Sequence, residues 1–304
     1  MHNKQNTTCP LCHKKTSQNL HGMTNYLYCA NCDLAWIKKH PKVVYNETYY
    51  GGTSNIAGKA FSPLSILFYK IRNSFAGKNY PKRWIDVGAG DGNYLEYVRA
   101  KERIGVEISA SGRDHMKRKG LKTKTEKEFL KAKNLQADVI SFWHVLEHVD
   151  KPWEYIEAAQ RNIKSRGKII IGVPNHRSLE FKVFGKYWFH LVPDFHLWHY
   201  SPKSLEAFLN QANLKIETID YWSLEHHLTG VLQSFINRTA KSDSVLHRII
   251  KRRQDFSNLN VKDIFWVIFW CTLGLPIVLL FWATGAIMQR PGTFIVVASK
   301  KNQK

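Results

Sequence analysis

The stretch Asp86-Val-Gly-Ala-Gly-Asp-Gly92 decides the fold of this chain, because it links a predicted buried strand at 84–87 to a predicted helix at 94–100. Glycines at every second position let the backbone approach a ligand closely, and the N-terminus of the following helix favours a negative group. The next predicted strand, 103–107, ends at Glu107, whose carboxylate can accept hydrogen bonds from both hydroxyls of a ribose. The stretch therefore predicts a nucleoside-binding domain, with a dinucleotide-binding fold as the direct alternative.

Strands and helices alternate along the rest of the main domain. Further strands are predicted at 139–143, 168–173, 215–221 and 293–298, and helices at 111–119, 153–162 and 202–212. This alternation predicts a doubly wound, Rossmann-like α/β fold whose mostly parallel sheet is covered on both faces. The predicted units are an N-terminal module (1–40), a bridging segment with a loop at Gly51 and Gly52 and an amphipathic helix (41–83), the main domain (84–222 with 293–299) and an insertion (223–292).

Four motifs of the main domain carry a family resemblance. They are the glycine stretch 86–92, Gly-Val-Glu-Ile-Ser at 105–109, Asp-Val-Ile-Ser-Phe-Trp-His-Val-Leu-Glu-His-Val at 138–149, and Gly-Lys-Ile-Ile-Ile-Gly-Val-Pro at 167–174. Together they resemble the class I methyltransferases that use S-adenosylmethionine, over roughly residues 80–222. The resemblance implies an enzyme with a seven-stranded sheet, the last strand antiparallel, and S-adenosylmethionine as cofactor.

The same resemblance implies which residues bind that cofactor. Asp86 and the glycine loop would contact its amino-acid part, Glu107 would hold its ribose, and the stretch around His144 would line its pocket. The implied cofactor-binding residues are Asp86, Gly88, Ala89, Gly90, Gly92, Glu107, Ile108 and His144.

Four cysteines form two C-x-x-C pairs near the N-terminus, Cys9 with Cys12 and Cys29 with Cys32. Two such pairs present four thiolates as a tetrahedron, so the spacing predicts a zinc ribbon. Four protein ligands leave no open position, and the zinc would therefore be structural. The alternative is a set of free or redox-active thiols.

Histidines and one carboxylate suggest further chemistry. His144, Glu147 and His148 would share one face of a helix. In the similar ubiquinone-pathway O-methyltransferases these places hold a divalent cation, but the first is a carboxylate there; the favoured interpretation is that Glu147 and His148 orient the pocket without metal. His148, His196 and His199 are the candidate catalytic bases, because histidine titrates near neutrality. Alternatively, His196 and His199 pack a lid over the acceptor pocket.

The charge and one apolar segment point to a surface partner. The formal net charge is +21, from 45 Lys and Arg against 24 Asp and Glu, which favours an anionic membrane or nucleic acid. Residues 264–288 hold no charged side chain, and they follow a basic run at 241–253. A strand is predicted directly after them, so the segment should return to the face it entered, turning at Gly274 and Pro276. Membrane contact is expected from Trp266, Trp270, Phe281 and Trp282, while Cys271 is expected to be a small buried hydrophobe.

The leading hypothesis is methyl transfer to a lipid, quinone-like or lipid-linked acceptor by a cytoplasmic protein on the inner face of a membrane. The polar first eight residues resemble no secretion signal, which supports that location. One alternative is an RNA-modifying methyltransferase that uses the ribbon and the basic surface. Against this alternative, the sequence has no Asn-Pro-Pro-Tyr-like base pocket after the fourth strand, and the apolar segment would stay unexplained. A third hypothesis is a non-catalytic cofactor-binding scaffold whose ribbon recruits a partner. For the apolar segment, the alternative to membrane contact is a helical pair that packs on the domain or forms a dimer.

Overall fold

The computed structural model describes residues 7–39, 62–77, 80–241, 245–246 and 260–301. The predicted loop at Gly51 and Gly52 and most of the basic run 241–253 lie outside these residues. The elements, in chain order, are β1 Asn19–Leu20, β2 Met23–Cys29, β3 Leu34–Ile37, α1 Ser62–Ser74, β4 Arg83–Val87, α2 Asn93–Tyr97, β5 Glu102–Val106, α3 Ala110–Arg118, β6 Lys122–Lys124, α4 Glu126–Lys131, β7 Ala137–Trp143, α5 Pro152–Asn162, β8 Ile163–Pro174, α6 Leu179–Phe184, β9 Trp198–His199, α7 Pro202–Gln211, β10 Leu214–Asp220, α8 Thr229–Thr239, α9 Val261–Cys271, α10 Leu275–Ile287 and β11 Thr293–Lys300.

The main sheet has seven strands in the order β10-β11-β8-β7-β4-β5-β6. Neighbouring strands from β8 to β6 run parallel, while β11 runs antiparallel to both β8 and β10. The centre of β8 is fully buried, as expected for a strand covered on both faces. The predicted doubly wound fold and its antiparallel last strand are therefore confirmed. The short strand β6 was not predicted, because its sequence Lys-Thr-Lys carries no apolar pattern.

The order of the strands places a crevice beside the glycine stretch. The chain builds β5 and β6 on one side of β4 and then β7 and β8 on the other. The loops that follow β4 and β7 therefore diverge at the carboxyl end of the sheet, where open α/β sheets bind their ligands. Asp86 pairs in register with Gly105 on β5 and with Ser141 on β7, so its side chain lies at the centre of this edge.

A second sheet joins the N-terminal module to the main domain. It has the order β1-β2-β3-β9, and β9 comes from the loop that follows β8 in the main domain. Ala35 pairs with His199 and Trp36 with Trp198 in antiparallel register. The module therefore packs directly on the loop predicted to hold the methyl acceptor, and the sequence did not predict this contact.

Among the described residues of the insertion, α8 packs against α9 and α10. Within the described ranges no single helix is long and apolar enough to cross a bilayer, whereas α9 and α10 together meet those criteria across a 63° bend. Trp270 is only 9% exposed and lies against Phe235 of α8, so its expected contact with a membrane is wrong. Cys271 is exposed, so its expected burial is also wrong. The packing of α9 and α10 on α8 decides which face of each helix is buried, and the composition of the segment alone does not reveal that face.

Candidate active site

The glycine loop after β4 combines close packing with open space. Gly88 has φ +73°, and a Cβ there would lie 2.5 Å from Val145 Cγ2 in the turn after β7. Gly90 has φ +59°, and no atom lies within 4 Å of where its Cβ would be. Such backbone angles favour glycine. The first glycine therefore lets the two loops of the crevice touch, and the second keeps space open above the loop.

Glu107 connects this loop to the end of β5. Its Oε2 accepts a hydrogen bond from Gly90 N at 2.9 Å, and its Oε1 accepts one from Ser109 N at 2.9 Å. The side chain is buried, while the neighbouring Ile108 is 55% exposed. A carboxylate has about four acceptor positions, so two backbone bonds leave capacity for the two hydroxyls of a ribose. The geometry fits the predicted role of Glu107.

Asp86 is a buried carboxyl group below the loop. Ser141 Oγ donates a hydrogen bond to its Oδ1 at 2.6 Å. Burial raises the pKa of Asp86 to about 7, although Ser141 and the Arg72 guanidinium favour the charged form. A cationic ammonium group beside Asp86 would offset that burial. The amino group of S-adenosylmethionine is such a cation, so Asp86 fits the amino-acid end of the cofactor.

Helix α1 places Arg72 over the same region. Arg72 donates two hydrogen bonds to Glu225, at 2.7 and 2.6 Å, and its guanidinium lies 4.9 Å from the Trp143 ring centroid. Glu225 belongs to a π-helical turn, Leu224–Leu228, in the insertion. This bidentate pair holds α1 and the insertion together across the carboxyl end of the sheet. Neither residue was singled out from the sequence, because the two lie 153 positions apart.

The segment 144–148 is a turn, so the expected helical face of His144, Glu147 and His148 is wrong. His144 has φ +55°, and its Nδ1 lies 2.9 Å from Glu147 Oε1. The His144 ring faces His226, with the ring centroids 4.0 Å apart. The His148 ring instead faces His196 at 4.6 Å. The two histidines therefore face different neighbours, and the group close enough to share a metal ion is Glu147, His148 and His196.

His199, by contrast, is fully enclosed. Its ring lies 4.8 Å from that of Tyr26 and 5.6 Å from that of Trp188, and burial lowers its pKa to about 3. This position favours the packing alternative for His199 over a catalytic base. His196 is 7% exposed, and its Nδ1 lies 2.7 Å from the carbonyl oxygen of His190.

The four cysteines of the N-terminal module, the predicted ribbon, converge. Ligand atoms of Cys9, Cys12, Cys29 and Cys32 all lie within 4.8 Å of one another, and the Sγ atoms of Cys12 and Cys29 are 3.7 Å apart. Zinc–sulfur bonds of about 2.3 Å in a tetrahedron separate the sulfurs by about 3.8 Å. These residues therefore fit a structural zinc ion.

The predicted ribbon holds the segment 190–200, named the acceptor loop here because the acceptor is predicted to bind there, through several contacts besides the β3–β9 pairing. Tyr26 Oη donates to the carbonyl oxygens of Leu191 and His196, at 3.1 and 3.3 Å. Asp33, next to Cys32, pairs with Arg177 at 2.7 Å through its carboxylate. The ribbon thus packs against one side of the loop that carries His196. Contacts of this kind leave no periodic pattern in the sequence and were therefore not predicted.

Comparison with known proteins supports the assignment of the main domain to the methyltransferases. Residues 65–219, half of the chain, match the family described as a methyltransferase domain. An uncharacterized protein of Methanocaldococcus jannaschii is 32% identical over 120 residues, which cover 39% of this chain but only 58% of that relative. The alignment therefore spans less than two thirds of that protein.

Two solved structures share the fold at low identity. The cyclase SpnF has a TM-score of 0.51 at 14% identity, covering 82% of this chain and 86% of SpnF. A complex of a methyltransferase activator with a methyltransferase from Haloferax volcanii contains a chain with a TM-score of 0.50 at 12% identity, covering 86% of this chain and all of that one. These likenesses concern the fold alone. Since the family match spans half of the chain, the protein belongs to the class I S-adenosylmethionine-dependent methyltransferases.

Proposed function

We propose that the protein transfers a methyl group from S-adenosylmethionine to a lipid-type acceptor held at a membrane surface. The observation that carries the proposal is the outer face of α9 and α10. Large apolar side chains there stand exposed, and an apolar patch of this kind marks an interaction surface. They include Val261 at 80%, Ile268 at 58%, Leu273 at 79%, Leu280 at 70% and Ile287 at 71% exposure.

The apolar pair lies at the same end of the sheet as the cofactor crevice. Strand β11 follows α10 and begins at Thr293, which pairs with Pro174 at the carboxyl end of β8. Helix α10 also contacts the elements around the crevice. Phe281 packs on Phe184 of α6, and Trp282 lies 5.6 Å from Trp222, just before the π-helical turn. An acceptor with an apolar tail would therefore reach the crevice along a short path from the bilayer.

Both ends of the apolar pair are tied to the folded domain. Asp263, near the start of α9, accepts a hydrogen bond from Lys241 N at 2.8 Å. At the other end, β11 is an inner strand between β8 and β10. A strand must be on the same side of a membrane as its partners, so the pair would lie in the plane of the interface. The net charge of +21 would add attraction to anionic headgroups.

The chemistry is an in-line displacement at the methyl carbon. An electron pair of the acceptor atom forms the new bond as the carbon–sulfur bond breaks, and that bond's electrons stay on sulfur to give S-adenosylhomocysteine. An acceptor hydroxyl releases its proton to a base or to water. Catalysis comes mostly from holding the two reactants in line. Whether oxygen, nitrogen or carbon is methylated depends on the acceptor.

Vesicle flotation tests the membrane part of the proposal. The full chain should float with phosphatidylglycerol vesicles and bind less to phosphatidylcholine vesicles. Leu280→Glu and Ile268→Glu should reduce flotation, because a charge would enter the apolar layer. Tyr80→Glu is the matched control: Tyr80 is 61% exposed but precedes β4, at the opposite end of the sheet. Wild-type protein that stays at the bottom of the gradient, or equal flotation of all variants, would contradict the proposal.

A further inference from the structure

Three side chains converge between the turn after β7 and the loop before β9. Glu147 and His148 come from the turn, and His196 comes from the loop, 48 residues after His148 (196 − 148). One ligand atom from each lies within 4.8 Å of the other two. Two imidazoles and one carboxylate at this separation form a set that binds divalent transition metals in proteins.

Backbone carbonyls fix the orientation of both imidazoles. His148 Nδ1 lies 3.0 Å from the carbonyl oxygen of Phe195, and His196 Nδ1 lies 2.7 Å from the carbonyl oxygen of His190. A carbonyl oxygen only accepts, so each Nδ1 carries the hydrogen and each Nε2 carries a lone pair. Metal-binding histidines commonly have this arrangement, in which the second ring nitrogen donates to a carbonyl.

Glu147 supplies the third observation. Its side chain is completely buried, and His144 Nδ1 contacts Oε1 at 2.9 Å. Among the described residues its other oxygen, Oε2, has no hydrogen-bond partner. A buried carboxylate oxygen without a partner is costly, and such an atom calls for an explanation such as an ion. A cation between Glu147 and the two imidazoles would meet that requirement.

We propose that Glu147, His148 and His196 bind one divalent transition-metal ion, zinc by the preference of its ligand set. Three protein ligands leave coordination positions open, unlike the four thiolates of the ribbon. An open position suits an oxygen of the acceptor, and this role rests on the proposed methyl transfer, whereas metal binding does not. As ligands, His148 and His196 are not the bases predicted from the sequence. Tyr26 contacts the carbonyl oxygen of His196, so the ribbon helps to hold one ligand.

Cobalt titration of the full chain tests the site without an acceptor. The protein is first stripped with a chelator, and one equivalent of zinc is then added to fill the thiolate site. Cobalt should next bind with a visible spectrum that lacks sulfur-to-cobalt charge transfer. Glu147→Gln and His196→Gln should each weaken this binding by more than the about 10- to 100-fold typical of changes to a ligand's hydrogen-bond partner. His115→Gln, on the exposed side of α3, should bind cobalt like wild type.

Two readouts separate loss of the site from loss of the fold. Affinity for S-adenosylmethionine should stay unchanged in both variants. In a separate titration of stripped protein without zinc, the charge-transfer spectrum of cobalt bound to the four thiolates should also match that of wild type. Should one variant unfold, the other and His148→Gln report on the same site. Wild type that takes up no cobalt after the ribbon is filled, or folded variants that bind cobalt as tightly as wild type, would overturn the proposal. A metal-binding protein that methylates no lipid would overturn the proposed function and leave the site standing.

Discussion

Glu107 is the residue through which cofactor binding is most directly tested. Replacing it with alanine removes the acceptor for the ribose hydroxyls and also frees Gly90 N. We expect a loss of about 2 kcal/mol or more, which is roughly 30-fold in Kd for S-adenosylmethionine. Calorimetry measures this change. Glu107→Gln keeps one oxygen acceptor and should lose less, and NAD should not bind either form. Unchanged affinity in Glu107→Ala would refute the assigned role.

Asp86 should make cofactor binding depend on pH. Burial holds its pKa at about 7 in the folded protein, above the ordinary value of 3.8, so the folded state keeps the proton longer than the unfolded state does. Its contribution to stability is therefore lost as the pH rises from about 4 to about 7. A cationic cofactor favours the charged carboxylate, so affinity should rise as the pH passes about 7. Calorimetry from about pH 5 to about pH 9, a range that brackets the pKa, compares the affinity of wild type and Asp86→Asn for S-adenosylmethionine. Parallel profiles for the two proteins would count against this role.

At the residue scale, local motifs were predictable and long-range pairs were not. The glycine loop and Glu107 lie within one strand–loop–helix unit and its neighbouring strand, so their spacing predicts that they come together, and the hydrogen bond from Gly90 N to Glu107 confirms it. Arg72 and Glu225 meet only after the insertion folds back over α1. His196 joins Glu147 and His148 only because the ribbon and the main domain fix its loop. His196 was predicted as a site residue. The prediction grouped His144 with Glu147 and His148 because it took the segment 144–148 to be helical.

At the scale of elements, the pairing of β3 with β9 links the ribbon to the acceptor loop. Cys29→Ser removes one predicted zinc ligand and should unfold the ribbon, while the main domain still binds S-adenosylmethionine. The segment 190–200 should then lose protection, because β9 loses its partner strand and Tyr26 no longer contacts Leu191. Hydrogen–deuterium exchange with mass spectrometry reports both changes. Metal analysis of wild type should also find zinc in the ribbon. A segment 190–200 that keeps its protection in Cys29→Ser would show that the ribbon does not hold the loop.

Helices α9 and α10 make a separate prediction about topology. Both flanks should stay on the side of the membrane from which the protein binds. Lys262→Cys and Gln289→Cys each add one thiol at an exposed flanking position, in a Cys271→Ser background that removes the exposed native thiol of α9. Zinc is added so that the four N-terminal cysteines are bound, and the Cys271→Ser protein alone gives the background labelling. An impermeant maleimide outside sealed vesicles should label both variants. Protection of either position would mean that the chain crosses the bilayer, and β11 could then not join its sheet.

Strand and helix positions in the main domain followed from periodicity, and the packing of the insertion did not. Helix α7 begins at Pro202 after Ser201, as predicted, and Ser201 Oγ accepts a hydrogen bond from Ser204 N. The two-residue strand β9 is too short to show any alternation of apolar and polar positions. The bend between α9 and α10 falls beside Gly274 and Pro276, but the buried side of each helix depends on α8.

At the scale of the whole molecule, three units meet at one end of the sheet. The ribbon forms a wall of the acceptor loop, α1 covers the crevice through Arg72, and the apolar pair extends from the same end. Fold class and cofactor were predictable because they depend on motifs within the main domain. The joining of the units was not, because it depends on contacts between residues far apart in the chain.

Transfer of labelled methyl groups tests the central claim most directly. The protein is incubated with methyl-labelled S-adenosylmethionine and either a membrane lipid extract or an RNA extract, with Glu107→Ala as the control for weakened cofactor binding. The account predicts label in the lipid fraction, reduced in Glu107→Ala and in Leu280→Glu, and none above background in RNA. Label in RNA, or in neither extract, would contradict it.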